Sequence, residues 1–157
     1  MKQISLAVFL IFSLFGANTT QAADRLFTLV QIDGAEVEIT NELVESIGLT
    51  QFSTKLVGGD ENLHKVSGIL IRDLFEHLNI KGSHFRAIAL NNYEADVPVS
   101  DAYNYDVIFA IEINGKKLTV REKGPSWIIY PLKDNPKLQN GLYALRSVWQ
   151  VDRVQLF

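Results

Sequence analysis

The sequence contains no cysteine, so the chain has no disulfide, no thiolate nucleophile and no thiolate metal ligand. It also lacks a serine in a nucleophile-elbow pattern and a glycine-rich phosphate loop before a helix. Its three histidines, at positions 64, 77 and 84, do not have the spacing of a metal site. These residues therefore give no positive evidence for an enzyme that uses acid–base or nucleophilic catalysis.

Long apolar runs are missing after the first few residues. Residues 4–15 are apolar except for Ser5 and Ser13, Lys2 precedes them, and small residues follow up to Ala23. This pattern is typical of a secretory signal peptide, because the run is too short for a transmembrane span. We expect residues 1–23 to be removed and residues 24–157 to form one exported domain. A tethered N-terminus is the alternative.

An excess of positive charge is also missing. Removing Lys2 with the leader leaves 14 basic against 18 acidic residues, a formal charge of about −4. Nucleic acids and anionic membrane surfaces are therefore not expected as partners, and no direct membrane insertion is expected. Because disulfides are absent, a hydrophobic core must stabilise the domain, and about 135 residues are enough to form one.

Alternating and β-branched segments predict a strand-rich chain. Strands are expected at residues 26–32, 36–39, 49–57, 64–67, 85–90, 106–113, 117–120, 127–130 and 148–156. Helices are expected at 42–47, at 69–78 and in a short turn after residue 100, and residues 133–141 are expected to be a loop. Asp33-Gly34 and Asn114-Gly115 indicate hairpins. We predict a single α+β domain with mixed β-sheets and two or three short helices.

Two arginine–tryptophan pairs lie near the end of the chain, at positions 121 with 127 and 146 with 149. Arginine offers a planar fork of donors and tryptophan a flat stacking face, so the pairs predict a site for a flat, polar heteroaromatic ligand such as a pterin. For each pair alone, a core tryptophan and a solvated arginine are the alternative. The predicted ligand-binding residues are Asn91, Tyr93, Glu94, Arg121, Trp127, Arg146, Ser147 and Trp149.

Several motifs together resemble the oxidoreductase molybdopterin-binding domain family. They are Ser67–Leu74, Leu90–Tyr93, Asn114-Gly115 with Gly124-Pro125, and Arg146–Trp149. The resemblance implies the fold seen in sulfite oxidases. Enzymes of that family hold molybdenum through a cysteine thiolate after an early strand, and the corresponding residues 52–57 contain no cysteine. The resemblance therefore implies a pterin as the ligand, of unknown species, and molybdenum is not expected.

Small exported versions without cysteine look like the periplasmic pterin-binding proteins of the PruR type. This likeness implies a noncatalytic periplasmic protein that relays pterin occupancy to the periplasmic domain of a membrane sensor controlling cyclic di-GMP. Two alternatives stay open. One is a molybdenum-cofactor-dependent oxidoreductase, or its subunit, in which Ser53, Thr54 or His64 holds the metal. The other is an assembly module that kept the fold and lost the ligand.

Overall fold

The computed structural model describes residues 24–58 and 60–157, so the predicted signal peptide lies outside the described residues. Its strands are β1 (Arg25–Val30), β2 (Glu36–Thr40), β3 (Thr50–Leu56), β4 (Asp60–Leu70), β5 (His84–Ala89), β6 (Glu94–Pro98), β7 (Ile108–Ile113), β8 (Lys116–Lys117), β9 (Trp127–Ile129) and β10 (Val151–Leu156). Its α-helices are α1 (Asn41–Ile47), α2 (Ile71–His77), α3 (Val99–Asn104) and α4 (Gly141–Arg146). Two 3₁₀ turns span Val120–Glu122 and Pro136–Leu138.

The first sheet has five strands in the order β2-β1-β10-β5-β6. The strands β1 and β10 run parallel, with Thr28 opposite Arg153, and every other pair is antiparallel. The last strand of the chain therefore lies in the centre of this sheet. Burial alternates along β5, which is typical of a strand with one face toward the core.

The second sheet is antiparallel and has the order β3-β4-β7, with β8 and β9 sharing the far side of β7. The register of β4 against β7 shifts between Ser67 and Gly68. A Cβ atom at Gly68 would lie 2.1 Å from the carbonyl oxygen of Phe109. Only glycine fits this crossing, because real Cβ contacts are never so short.

The main core lies between the two sheets and is aromatic at its centre. Phe27 on β1 contacts Phe109 on β7 with ring centroids 4.6 Å apart, and Phe85 on β5 lies 6.4 Å from Phe109. The ring of Phe75 on α2 meets Phe85 edge-on at 5.4 Å. These four side chains are essentially inaccessible to solvent. Burial of this kind contributes about 2–3 kcal/mol per large apolar side chain, so both sheets and α2 depend on one core.

Both predicted hairpins are confirmed, with β1 paired to β2 and β7 to β8. The helix predicted at 42–47 is also confirmed, and Thr40 caps it by accepting a hydrogen bond from the backbone N–H of Leu43. Asn114 adopts the left-handed conformation that a tight turn requires. Local turn and cap chemistry therefore predicted these elements correctly.

Other predicted bounds were wrong. The brief strand at 64–67 is part of the eleven-residue β4, which continues to Leu70, so α2 begins at Ile71 and not at residue 69. Leu70 has an extended backbone, and the N–H of Ile71 donates to the carbonyl of Val107 at 3.0 Å. Ile69 and Leu70 pair with Phe109 and Ile108 of β7, so tertiary pairing overrides the helical pattern of the leucine repeat at these two residues.

Three further elements differ from the prediction. The strand β6, which follows the turn at residues 90–93, was not predicted. The strand β8 is only two residues long, whereas a strand was expected at 117–120. The predicted loop at 133–141 holds a 3₁₀ turn and the start of α4, so there are four α-helices among the described residues and not two or three. These elements are too short for their periodicity to appear in the sequence.

Candidate functional site

A cavity of about 590 Å³ opens where one end of the first sheet meets α4. We call it the α4 cavity. Its lining is mostly apolar, and its walls are Val57, Gly58, Ala89, Asn91, Tyr93, Gly141, Ala144, Leu145, Ser147 and Trp149. Its volume lies within the range of small-molecule sites, roughly 300–1,000 Å³. The β3–β4 turn, the β5–β6 turn and α4 each supply one wall.

The β5–β6 turn is held by its own polar groups. The N–H of Ala89 donates to the carbonyl of Tyr93 at 2.8 Å, and the side-chain oxygen of Asn91 accepts from the N–H of Tyr93 at 3.0 Å. Asn92 adopts a left-handed backbone, which asparagine tolerates well. The hydroxyl of Tyr93 then donates to the carbonyl of Leu145 at 2.8 Å, so the turn is tied directly to α4.

Helix α4 is short and depends on its ends. Asn140 caps its start, because its side-chain oxygen accepts from the N–H groups of Leu142 at 2.9 Å and Tyr143 at 3.4 Å. At the other end, the Ser147 hydroxyl donates to the carbonyl of Tyr143 at 2.8 Å. These contacts position Ala144 and Leu145, which face the cavity.

The two tryptophans contact each other but have different environments. They form an isolated β-bridge, and their rings meet edge-on with centroids 6.2 Å apart. Trp127 is 2% exposed, and its indole N–H donates to the carbonyl of Ser147 at 3.1 Å. Trp149 is 38% exposed and lines the α4 cavity. Trp149 is therefore the available stacking face. Trp127 packs behind it in a smaller buried cluster, whose other members are Val66, Leu70, Ile108, Ala110 and Ile129.

Arg146 points away from the cavity and forms an ion pair. Its guanidinium donates to the Asp101 carboxylate at 2.9 Å, and the two side chains are only 16% and 9% exposed. The Tyr130 hydroxyl donates to the same carboxylate oxygen at 2.8 Å. Burial, with the Asp101 charge beside it, raises the pKa of Tyr130 far above its usual value. This group therefore stays a neutral donor and helps to fix Asp101 and Arg146.

Glu94 and Arg121 also lie apart from the cavity walls. Glu94 is 3.5 Å from Arg86, which makes a bidentate pair with Asp96 at 2.7 and 3.0 Å. The hydrogen bonds from Arg86 hold the pKa of Asp96 below its usual value. Arg121 lies on the exposed 3₁₀ turn at Val120–Glu122.

Four of the eight predicted site residues, Asn91, Tyr93, Ser147 and Trp149, therefore lie around one cavity. Trp127 lies behind Trp149, whereas Glu94, Arg121 and Arg146 are not in its walls. A ligand-binding role for any of the eight stays a prediction. The sequence reasoning missed the other six wall residues, Val57, Gly58, Ala89, Gly141, Ala144 and Leu145. For α4, the cap Asn140 followed by Leu142 and Leu145 was the available signal.

This fold is similar to that of a known enzyme. The sulfane dehydrogenase SoxCD from Paracoccus pantotrophus matches with a TM-score of 0.63 at 15% sequence identity. The match covers 85% of this chain but 38% of that chain. No protein-family model and no curated protein matches the sequence. At this identity the likeness shows the fold alone, and it confirms the predicted α+β fold of the sulfite-oxidase molybdopterin-binding type.

The residues present offer no thiolate to the molybdenum that this fold type implies. The chain has no cysteine to supply a thiolate, and the described residues contain no group of three or more metal-ligating side chains. Thr54 lies in the corresponding region, but it is fully buried. Its hydroxyl accepts from the N–H of Leu132 at 2.9 Å and lies 3.3 Å from the carbonyl of Tyr130. The Thr54 hydroxyl is thus used within the core.

Proposed function

We propose that this protein is a noncatalytic, exported pterin-binding protein. The observation that carries the proposal is the α4 cavity, in which an exposed tryptophan face, a tyrosine and an asparagine line an apolar space of about 590 Å³. A flat heterocycle can stack on Trp149, since aromatic stacking contributes about 1 kcal/mol beyond the area it buries. The exposed side chain of Asn91 offers an amide group for the ring's donors and acceptors.

The proposal includes a periplasmic location and a partner. We propose that pterin occupancy is relayed to the periplasmic domain of a membrane sensor that controls cyclic di-GMP. Exposed apolar side chains support a docking role, since Leu145 in the cavity wall is 60% exposed, and Leu90 and Leu142, which are next in sequence to wall residues, are 48% and 51% exposed. No helix among residues 24–58 and 60–157 has the length and apolarity needed to cross a membrane. The predicted leader is what supports export.

The experiment that tests this function is purification of the native protein from the periplasm, with its leader intact in the gene. Mass spectrometry and fluorescence of the denatured filtrate should identify a pterin in about equal amount to the protein. The same filtrate from a strain without the gene is the control. A native preparation without any pterin, and without affinity for added pterins, would contradict the proposal.

A molybdenum-cofactor oxidoreductase is the second candidate, because the fold is similar to that of a sulfane dehydrogenase. The same native preparation separates the two candidates by elemental analysis. The enzyme requires stoichiometric molybdenum, whereas the receptor requires only the organic ligand. Molybdenum that disappears in a variant of Ser53 or His64 would establish the enzyme and remove our proposal.

A further inference from the structure

The ammonium group of Lys123 lies in the corner between the two tryptophan rings. It is 4.4 Å from the ring centroid of Trp127 and 4.9 Å from that of Trp149. The two rings meet at an interplanar angle of 81°, so they present two walls to one cation. An indole face attracts a cation, because its π system carries partial negative charge. Lys123 therefore contacts the same ring that offers the stacking face of the α4 cavity.

The cation reaches Trp149 from outside the α4 cavity. Lys123 and Trp127 line a smaller neighbouring cavity of about 340 Å³, and neither is in the walls of the α4 cavity. Trp149 lines the α4 cavity and is 38% exposed. The ammonium thus covers one part of the indole and leaves the part that faces the α4 cavity open to a ligand.

Backbone contacts tie Lys123 to the residue that follows Trp149. The carbonyl of Lys123 accepts a hydrogen bond from the N–H of Gln150 at 2.9 Å. The side-chain amide of Gln150 donates to the carbonyl of Val120 at 2.7 Å, at the start of the same 3₁₀ turn. The loop that carries the cation and the segment that carries the indole are therefore held together by both ends of one glutamine.

Two glycines provide the space for this arrangement. A Cβ atom at Gly124, directly after Lys123, would lie 2.5 Å from the carbonyl oxygen of Leu118. Gly58 has a φ of +116°, and a Cβ atom there would lie 3.6 Å from the Lys123 ammonium. Glycine suits both positions, because it permits close approach and, at Gly58, the positive φ.

The charge of Lys123 is not neutralised by a carboxylate. The Glu122 side chain next to it accepts a hydrogen bond from the Thr119 hydroxyl at 2.9 Å, and Lys123 makes no ion pair with any residue in the described part of the chain. A cation on one part of an indole uses the ring's attraction for positive charge and repels a second cation nearby. The Trp149 platform should therefore be a poor surface for a cationic ring.

We propose that Lys123 is a positioning residue that acts on the ligand through Trp149. Its ammonium braces the indole and sets the charge preference of the platform, which accepts a neutral or anionic flat ring and disfavours a cationic one. This inference rests on the proposed function and specifies the charge class of the ligand.

Tryptophan fluorescence tests the inference with two flat quenchers, neutral nicotinamide and cationic 1-methylnicotinamide, at low ionic strength. Quenching reports mainly on Trp149, because Trp127 is only 2% exposed. The ratio of the nicotinamide to the 1-methylnicotinamide quenching constant cancels differences in ring exposure between variants. Lys123→Met keeps the length of the side chain without its charge, so the ratio should fall roughly two- to fivefold, as expected for loss of an exposed cation–π contact. Lys123→Arg should restore the ratio, since a guanidinium also stacks on an indole.

Lys116→Met is the matched control. It removes the same charge from the wall of the same smaller cavity, but the cation contacts of the two indoles do not involve Lys116, so the ratio should stay near that of the unaltered protein. An unchanged ratio in Lys123→Met, or an equal fall in Lys116→Met, would overturn the inference.

Addition of pterin to the same assay separates this inference from the proposed function. Bound pterin should protect Trp149 from both quenchers in the unaltered protein. Protection together with an unchanged ratio in Lys123→Met would leave the pterin function standing without our inference. A pterin that does not bind would remove the proposed function, and the role of Lys123 in ligand selection would fall with it, even if the ratio changes as expected.

Discussion

At the residue scale, the role of Arg146 in the structure differs from the role that the sequence predicts. The sequence places it beside Trp149 and predicts a ligand donor, yet it donates to Asp101 within the protein. Its Nε is buried without a hydrogen-bond partner among the described residues. A sequence cannot show that a carboxylate 45 positions earlier is brought to the same place. The residue type correctly indicated a hydrogen-bond donor to an anionic group. Which group accepts from the Arg146 side chain depends on the tertiary fold.

We expect Arg146→Ala to lower the free energy of unfolding by about 3 kcal/mol, because it leaves the Asp101 carboxylate buried without its countercharge. Chemical denaturation measures the loss. Arg153→Ala is the matched control, since Arg153 pairs with Glu36 at 2.8 Å but the side chains are 40% and 56% exposed. That exposed pair should contribute no more than about 1 kcal/mol. Equal effects of the two substitutions would show that the Asp101 pair is solvated in solution.

The two tryptophans should respond differently to the same substitution. Trp149→Phe should weaken pterin binding roughly two- to threefold, because it removes about half of a stacking energy of about 1 kcal/mol. Trp127→Phe should mainly reduce stability, since the side chain is buried and its indole N–H is hydrogen-bonded. Quenching of tryptophan emission by the pterin, titrated in each variant, separates the two roles. Equal pterin affinities in the two variants would place the ligand away from Trp149.

At the element scale, short secondary structure decides the site and is the part that the sequence predicted least well. The β1–β2 hairpin and α1 carry their own turn and cap residues, so local chemistry predicted them. Helix α4 has six residues and was not predicted, and only its first residue, Gly141, falls in the loop expected at 133–141. Its position depends on Tyr93 and Asp101, which approach from other parts of the chain. Half of the predicted site residues do lie at the cavity. The prediction located the two segments that contain them, around residues 91–93 and 147–149, but it did not predict the structures of those segments.

Removal of a helix cap should affect binding only where the helix forms the site. We expect Asn140→Ala to cost about 1 kcal/mol of stability and also to weaken pterin affinity, because α4 supplies one wall of the cavity. Thr40→Ala removes the equivalent cap of α1, which has no residue in that wall, so it should cost similar stability without a change in affinity. Thermal unfolding and calorimetry give the two readouts. A loss of affinity in both variants would point to general loosening of the fold.

The crossing of β4 and β7 provides a second prediction for an element. Gly68→Ala should destabilise the protein by several kcal/mol, because the new methyl group would lie 2.1 Å from the Phe109 carbonyl oxygen. Gly141→Ala is the control, since an added Cβ there meets nothing within 4 Å and alanine favours helix. Denaturation midpoints should fall for the first variant and stay or rise for the second. An unchanged midpoint for Gly68→Ala would mean that the strands do not pair as described.

At the scale of the whole molecule, two sheets share a core that Phe27, Phe85 and Phe109 occupy. The fold type was predictable because several short motifs occur in the right order, even though each is weak alone. The cavity was not predictable, since Val57, Leu145 and Trp149 come from distant parts of the chain and meet only after both sheets have formed. Binding and stability should therefore be linked, because any ligand in this cavity contacts elements that the core holds together.

We expect a single unfolding transition whose midpoint does not depend on reductant, because the chain has no cysteine and the described residues form one continuous main core. A pterin present at about 100 times its Kd should raise the free energy of unfolding by about 2.7 kcal/mol, since it binds only the folded state. Urea denaturation with and without the pterin measures both effects. Arg153→Ala serves as a reference, because it lowers stability without touching the cavity and should show the same ligand-dependent gain. Two separate transitions, of which the pterin shifts only one, would mean that the cavity region folds independently of the core between the sheets.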